Sequence, residues 1–207
     1  GLDDVKRIHA EMEAIKASRD DLLYKVEPQE GYIAALRAGI PEDGIVISGM
    51  TQLGYYSRAH FPVFGPRTFI TSSYFGNLGF AYPTALGAKV AHPDKPVVAI
   101  SGDGGFMFNC QEMSTAVNHG INAVVVVFND EAYGNVLRDQ TTRFEGRGYG
   151  ATLKNPDFVK FAESFGARGV RAKGPEALEA ALKEAFTIEA PTLIEVPVEA
   201  MPYAFKA

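Results

Sequence analysis

The sequence predicts an α/β protein: a doubly wound, mostly parallel sheet with helices on both faces, in a single domain. Three observations predict it. Short β-rich runs alternate with helix-like segments, as right-handed βαβ crossovers require. The strongest run, Ala123–Phe128, is apolar throughout, which suits a strand buried on both faces rather than one facing water. The length, 207 residues, suits one domain with at most a small appendage.

Residues 1–27 read as an amphipathic helix, because Leu2, Val5, Ile8, Met12 and Ile15 recur at spacings of three and four with charges between them. This helix has no sheet of its own to cover and is expected to be a linker from a preceding region. Pro28 opens the domain proper, expected over residues 28–198. A short helix carries Tyr32, Ile33 and Leu36 and stops at Gly39 and Pro41. Strands follow at Ile45–Ser48 and Thr68–Thr71, then a small-residue helix at Ala81–Ala91. Val97–Ile100 is an apolar strand, Gln111–Asn118 a helix and Ala123–Phe128 the central strand. Pro156–Phe165 reads as a helix with proline in its first turn. Arg168–Ala172 reads as a strand, Pro175–Ile188 as an alanine-rich helix and Thr192–Val196 as the last strand. Arg138, Arg143 and Arg147, interleaved with Gly146, Gly148 and Gly150, read as a solvated, mobile loop. Residues 199–207 are expected to be a C-terminal tail.

Composition excludes several function classes. The net charge is −5 and the pI about 5.4, without the basic excess of a nucleic-acid binder. The longest apolar run is six residues, against the roughly 20 that a helix needs to cross a bilayer. Asp3, Asp4, Lys6 and Arg7 do not form a secretory signal, and a cytoplasmic location is expected. The single cysteine, Cys110, excludes a disulfide framework and a cysteine-cluster metal site, and reads as a small buried residue.

In an open parallel sheet, ligands bind beyond the carboxyl ends of the strands. Two such ends carry unusual residues: Gly102-Asp103-Gly104-Gly105, and Asn129-Asp130-Glu131-Ala132-Tyr133-Gly134. Glycines let a backbone approach a phosphate. A dinucleotide loop fails on spacing, because Met107 stands where a third glycine belongs. It fails on charge as well, because the Asp103 carboxylate repels a phosphate unless a divalent cation bridges them. Asp130 supplies a second hard oxygen, so the two ends together suggest a magnesium–diphosphate site. Read singly, each segment is equally an ordinary turn.

Gly102-Asp103-Gly104, followed after 24 residues by Asn129-Asp130, resembles the thiamine diphosphate signature. The stretch Thr71-Ser72-Ser73-Tyr74-Phe75-Gly76-Asn77-Leu78-Gly79-Phe80-Ala81-Tyr82-Pro83 resembles the cofactor loop of the acetolactate synthase and benzoylformate decarboxylase family. Asn155-Pro156-Asp157-Phe158 and Pro191-Thr192-Leu193-Ile194-Glu195-Val196 also resemble that family's carboxyl-terminal, pyrophosphate-binding domain, so the likeness covers about residues 28–198.

The resemblance implies roles. Asp103, Asp130 and the carbonyl of Ala132 would bind Mg2+. Many relatives carry asparagine at the position of Asp130, so this chain adds a charge there. The amides of Gly104 and Gly105 would hold the diphosphate. Thr51 and Gln52 match an early phosphate-contact segment, although Met50 and Gly54 fit its pattern poorly. Gly76 and Leu78 would meet the aminopyrimidine, and Leu78 would act in catalysis by holding the cofactor bent. Gly102, Tyr133 and Gly134 complete the expected cofactor contacts.

The family's activating glutamate lies on a separate pyrimidine-binding domain, which nothing in this sequence resembles. The chain is therefore expected to be the inactive-alone half of a lyase or transferase that decarboxylates or carboligates a small 2-oxo acid. Its expected partners are a pyrimidine-binding domain, of the same or a partner chain, and further copies in a homodimer or tetramer. A catalytically silent cofactor-binding domain and a plain nucleotide-binding module are the alternatives. His60 sits among Tyr55, Tyr56, Phe61 and Phe64, facing substrate or packing against a partner domain. His92 and His119 read as turn and surface residues.

Overall fold

Six strands form one sheet, all parallel, in the order β2-β1-β3-β4-β6-β5. The computed structural model describes residues 2–22, 25–72 and 74–203, and describes the side chains of all of these except 19–22. Helix α1 is Leu2–Leu22 and α2 is Gln29–Gly39; strand β1 is Ile45–Ser48, followed by α3 at Gln52–His60 and β2 at Phe69–Thr71. Helix α4 is Ala81–Ala91, β3 is Val97–Gly102, α5 is Asp103–Phe106, α6 is Glu112–Asn118 and β4 is Val124–Asn129. Helix α7 is Gly134–Arg143, α8 is Phe158–Ser164, β5 is Arg168–Arg171, α9 is Pro175–Ala185 and β6 is Thr192–Pro197. Residues 23–24, inside the stretch read as the linker helix, Ser73 of the quoted loop and residues 204–207 of the expected tail lie outside the described residues.

Alternation along the strands builds two cores. Val46, Val98, Ile100, Val124, Val126, Phe128, Ile194 and Val196 pack with α2, α3 and α9 on one face. Ile45, Ile47, Val97, Ala99, Val125, Val127 and Leu193 pack with α4, α6 and α8 on the other. Both faces being covered is why these strands lack any polar alternation. Fully burying one such aliphatic side chain contributes about 1.5–3 kcal/mol, and the central strands β3 and β4 are apolar at nearly every position.

Three expectations are corrected. Helix α3 falls where no element was predicted: its Leu53 and Tyr56 are fully buried, so tertiary packing overrides a segment of modest helix propensity. The loop predicted at Arg138–Gly150 begins as the last part of helix α7, and only the residues after Arg143 are exposed turns. Pro156 lies ahead of α8 rather than in its first turn. Asp157 is the N-cap, its Oδ1 accepting from the N–H groups of Val159 at 3.1 Å and Lys160 at 3.3 Å.

The two ends of the domain meet. Met201 is buried in the core beneath α2, and the Gln29 side chain donates to the Pro202 carbonyl at 2.7 Å. The ring of Tyr203 stacks 4.5 Å from the guanidinium of Arg138 on α7. The stretch expected as a tail is thus packed on the domain as far as residue 203. The apolar stripe of α1, by contrast, is exposed: Leu2, Val5, Ile8, Met12 and Ile15 all face solvent. No helix among the described residues is long and apolar enough to cross a membrane.

Candidate functional site

The strand order places a crevice at the carboxyl ends of β1 and β3. From β1 the chain runs outward to β2, then crosses back over β1 to β3. The loops after β1 and β3 therefore part from one another, opening a ligand crevice between them. A cleft of about 250 Å³ lies there. The structure brings all twelve sequence-predicted residues to its walls: Thr51, Gln52, Gly76, Leu78, Gly102, Asp103, Gly104, Gly105, Asp130, Ala132, Tyr133 and Gly134. It adds four that the sequence did not single out for the site: Met50, Tyr55, Asn135 and Val136.

The floor holds two carboxyl groups in contact. Asp103, at the first position of α5, is 1% exposed, and Asp130, just past β4, is half-buried. Asp130 and Asp103 share a hydrogen bond. Burial first, then the charge of Asp103, pushes Asp130 up to about 6. Burial also raises Asp103, against the opposing pull of the N–H of Gly104 and the amide of Asn155. Two carboxylates forced together in a half-buried site repel, and the cheapest relief is a shared proton or a cation between them.

The backbone supplies a third oxygen. Glu131 turns the chain through the left-handed region, φ 54°. Ala132 then forms an isolated antiparallel bridge with Thr152, in which the bonds are Tyr133 N–H to Ala151 O and Leu153 N–H to Glu131 O. The N–H of Ala132 turns to the Asp130 carboxyl. Its carbonyl accepts from no backbone N–H among the described residues. Two carboxyl groups and an uncommitted carbonyl form the hard donor set that suits Mg2+. Among the described residues no three His, Cys, Asp or Glu side chains cluster as a metal site.

Glycine is required where the walls close in. A Cβ on Gly134 would lie 2.5 Å from Asp130 Oδ2, and one on Gly104 would lie 2.5 Å from the Tyr133 ring. Gly76, at φ 62°, turns the loop after β2 so that it faces Met50. Of the two α5 glycines, Gly104 has its N–H engaged by Asp103, whereas the Gly105 N–H has no backbone acceptor among the described residues. Leu78, partly exposed, stands across from Gly105, its Cδ2 3.7 Å from where a Gly105 Cβ would be. Met50, read as a poor match, lines the cleft. Gly54 is glycine because α3 presses it onto the Gly49 carbonyl, leaving no room for a Cβ.

At the mouth, Arg138 donates to Gln52 Oε1 at 3.2 Å and to Asn135 Oδ1, which also accepts from Gln52 Nε2 at 3.2 Å. Beneath the floor, Asn155 donates to Asp103 Oδ2 at 2.6 Å and to Asn129 Oδ1 at 2.9 Å. The sequence reading quoted Asn155 only as part of a motif; it is 52 residues from Asp103, and no spacing rule links them. The other sequence candidates stay outside the cleft. His60 stacks on Tyr56 at 3.9 Å, with Nδ1 3.9 Å from Glu30, so it packs within this domain. His119 lines a separate groove at the opposite end of the sheet, beside Gly120 and Phe186. Cys110 is half-buried, and burial raises its thiol.

Comparison with known proteins places these features together. Residues 49–196 match the thiamine pyrophosphate enzyme family, in its C-terminal TPP binding domain. The chain is 38% identical over 166 residues to the acetolactate synthase large subunit of Haemophilus influenzae, covering 79% of this chain and 29% of that protein. It is 33% identical over 199 residues to the acetolactate synthase of Bacillus subtilis, covering 96% and 34% respectively. Among solved structures, the thiamine diphosphate-dependent 4-hydroxybenzoylformate decarboxylase of Rhodococcus jostii superposes with a TM-score of 0.74 at 30% identity, covering 81% of this chain and 32% of that one. The chain thus spans about a third or less of the length of these relatives.

Proposed function

Because the chain belongs to the thiamine pyrophosphate enzyme family, as its C-terminal TPP-binding domain, we propose that it is the diphosphate- and magnesium-binding half of an enzyme that decarboxylates or carboligates a 2-oxo acid. The observation that carries the reading is the contact between the Asp103 and Asp130 carboxyls on the floor of the cleft, beside the uncommitted carbonyl of Ala132. These three would hold Mg2+, and the cation would let a diphosphate approach a floor that is otherwise acidic. The N–H of Gly105 would donate to that diphosphate, with Gln52 and Thr51 on the opposite wall. Leu78 would fill the space beneath the bend of the cofactor, an effect of positioning rather than of charge. Bound thiamine diphosphate supplies the nucleophilic carbon and the electron sink for loss of carboxylate. The protein's part is to orient that group and to exclude water from it.

The rim of the cleft supports a partner. Tyr74, Phe75, Leu78, Met107 and Phe108, on the loop after β2 and just past α5, expose large apolar surface beside it, more than an isolated domain ordinarily leaves to water. We assign this rim to the pyrimidine-binding domain, in an assembly of at least two copies, with residues 28–198 as the cofactor domain, α1 as its linker, and a cytoplasmic setting. Calorimetric titration of the complete enzyme with thiamine diphosphate and Mg2+, against ATP and NAD, tests the reading. Magnesium-dependent uptake of thiamine diphosphate alone is expected. Uptake of ATP or NAD without thiamine diphosphate would replace this reading with a nucleotide-binding module. Binding without turnover of pyruvate, benzoylformate or other 2-oxo acids would leave a silent cofactor domain.

A further inference from the structure

A line of hydrogen bonds runs from the carboxyl pair beneath the sheet ends to its far edge. Asn155 Nδ2 donates to Asp103 Oδ2 at 2.6 Å and to Asn129 Oδ1 at 2.9 Å. Asn129 Nδ2 donates to Glu195 Oε1 at 2.9 Å, and Arg171 Nε donates to Glu195 Oε2 at 2.8 Å. Arg171 also donates through Nη2 to Asp157 Oδ1 at 2.9 Å, the oxygen that caps α8. The line ties the end of β3 to β4, β6 and β5 in turn. Its two buried carboxylate stations, Asp103 and Glu195, are 1% and 4% exposed.

The chemistry of these groups permits one arrangement. An ionised carboxylate only accepts, so each amide facing one must present its NH2. Asn155 therefore turns Nδ2 to Asp103. The second N–H of that nitrogen needs an acceptor, so Asn129 must present Oδ1 to Asn155 and, on its other side, Nδ2 to Glu195. Glu195 is in turn held by Arg171. Reversing either amide would set an NH2 against an NH2, or an oxygen against a carboxylate. Buried polar networks in which every member is satisfied hold one geometry and are costly to interrupt.

We propose that Asn155 is the positioning residue of the metal site, fixing the Asp103 carboxylate in the orientation that a small octahedral cation requires, with Asn129 and Glu195 as the support behind it. The inference rests on the reading of Asp103 and Asp130 as metal donors. Asn155 does not ligate; it commits one Asp103 oxygen and so sets the plane of the carboxylate. Mg2+ demands near-ideal octahedral geometry, whereas Ca2+ accepts six to eight ligands in flexible arrangements. Loosening Asp103 should therefore harm Mg2+ more than Ca2+. An Asn155 that merely ties the 151–157 segment to the sheet would alter both alike, or neither.

The test measures Mg2+ and Ca2+ affinity by calorimetry on the complete enzyme at saturating thiamine diphosphate, with melting in chelator as a check on folding. Asn155→Ala is expected to weaken Mg2+ about tenfold to hundredfold, the effect of losing a hydrogen bond to a charged group, and to lower the ratio of Mg2+ to Ca2+ affinity. Asn129→Ala, one bond further away, should weaken Mg2+ less and in the same direction. Where Asn155→Ala does not fold, Asn155→Ser, with a hydroxyl too short to span both acceptors, decides by the same criterion. Unchanged Mg2+ affinity, or an equal loss for both cations, in a folded variant overturns the proposal while leaving the site reading intact. A parent enzyme that takes up neither metal nor thiamine diphosphate overturns both.

Discussion

Replacing Asp130 by asparagine should stabilise the metal-free protein, by an amount that depends on pH. In the fold Asp130 is raised from 3.8 to about 6, by burial first and by the charge of Asp103 second. A group raised on folding carries its full stability below the unfolded value and loses it as pH rises through the folded value. The parent should therefore lose stability between about pH 4 and 6. The shift is about two units at about 1.4 kcal/mol each, so the loss is at most about 3 kcal/mol at pH 7.5. The asparagine of the variant carries no charge and should escape that loss. Urea unfolding of parent and Asp130→Asn in chelator, at pH 4.5, 5.5, 6.5 and 7.5, reads the difference directly. The variant's advantage should grow by about 1–3 kcal/mol from the lowest pH to the highest, then shrink once Mg2+ and thiamine diphosphate are added. A difference that stays constant across this range would refute the electrostatic coupling of the two carboxyls.

Asp103→Asn should lower metal-dependent thiamine diphosphate affinity about tenfold to hundredfold in the complete enzyme, read by calorimetry, because a charge-assisted contact to the cation is lost while the turn is kept. The 207-residue chain alone should turn over neither pyruvate nor benzoylformate in a coupled assay if, as proposed, the pyrimidine-binding half of the site is supplied by another domain; measurable decarboxylation by it would count against the two-domain reading. Phe158→Ala should cost about 3–5 kcal/mol in urea unfolding, since Phe158 is fully buried and its ring meets Phe106 edge-on at 5.8 Å.

How far the sequence could be read follows from where each element gets its stability. The four inner strands were legible because they are buried on both faces, and a doubly buried strand has to be a largely apolar run. The run read at Ala123–Phe128 differs by one residue at each end from the observed β4. The helix at Ala81–Ala91 was legible from its run of small residues, four of whose positions, Ala81, Tyr82, Ala85 and Leu86, are buried. Helix α7 was not, because it buries no residue completely, and Val136 and Leu137 stand alone among its arginines and polar groups. Helix α5 is one turn of Asp-Gly-Gly-Phe whose glycines favour no helix at all; it forms because β3 ends there. In the site, the residues that could be listed in advance stand next to a strand end or within a quoted motif. Asn135 and Val136, just past the quoted motif, and Tyr55, read only as part of an aromatic stretch, reach the cleft through the turn of their helices. Asn155 meets Asp103 only because residues 151–153 pair with 131–133 and bring the chain back over β4. An Asn-Pro pair in a sequence signals a turn, and the partner of its side chain is a property of the folded chain.

The bond between Gln29 and Pro202 makes the domain a loop closed on itself. Its point of entry and its point of exit lie side by side at the foot of α2, remote in sequence and neighbours in space. Such a unit can be spliced into a longer polypeptide without pulling its host apart, since the host sees only a narrow stalk. It can also be cut and rejoined: linking residue 203 back to residue 28 by a few glycines, and opening the chain at the exposed turn of residues 145–148, should give a permuted protein with the same sheet order. The order of segments along the gene is then free to change while the cleft is kept.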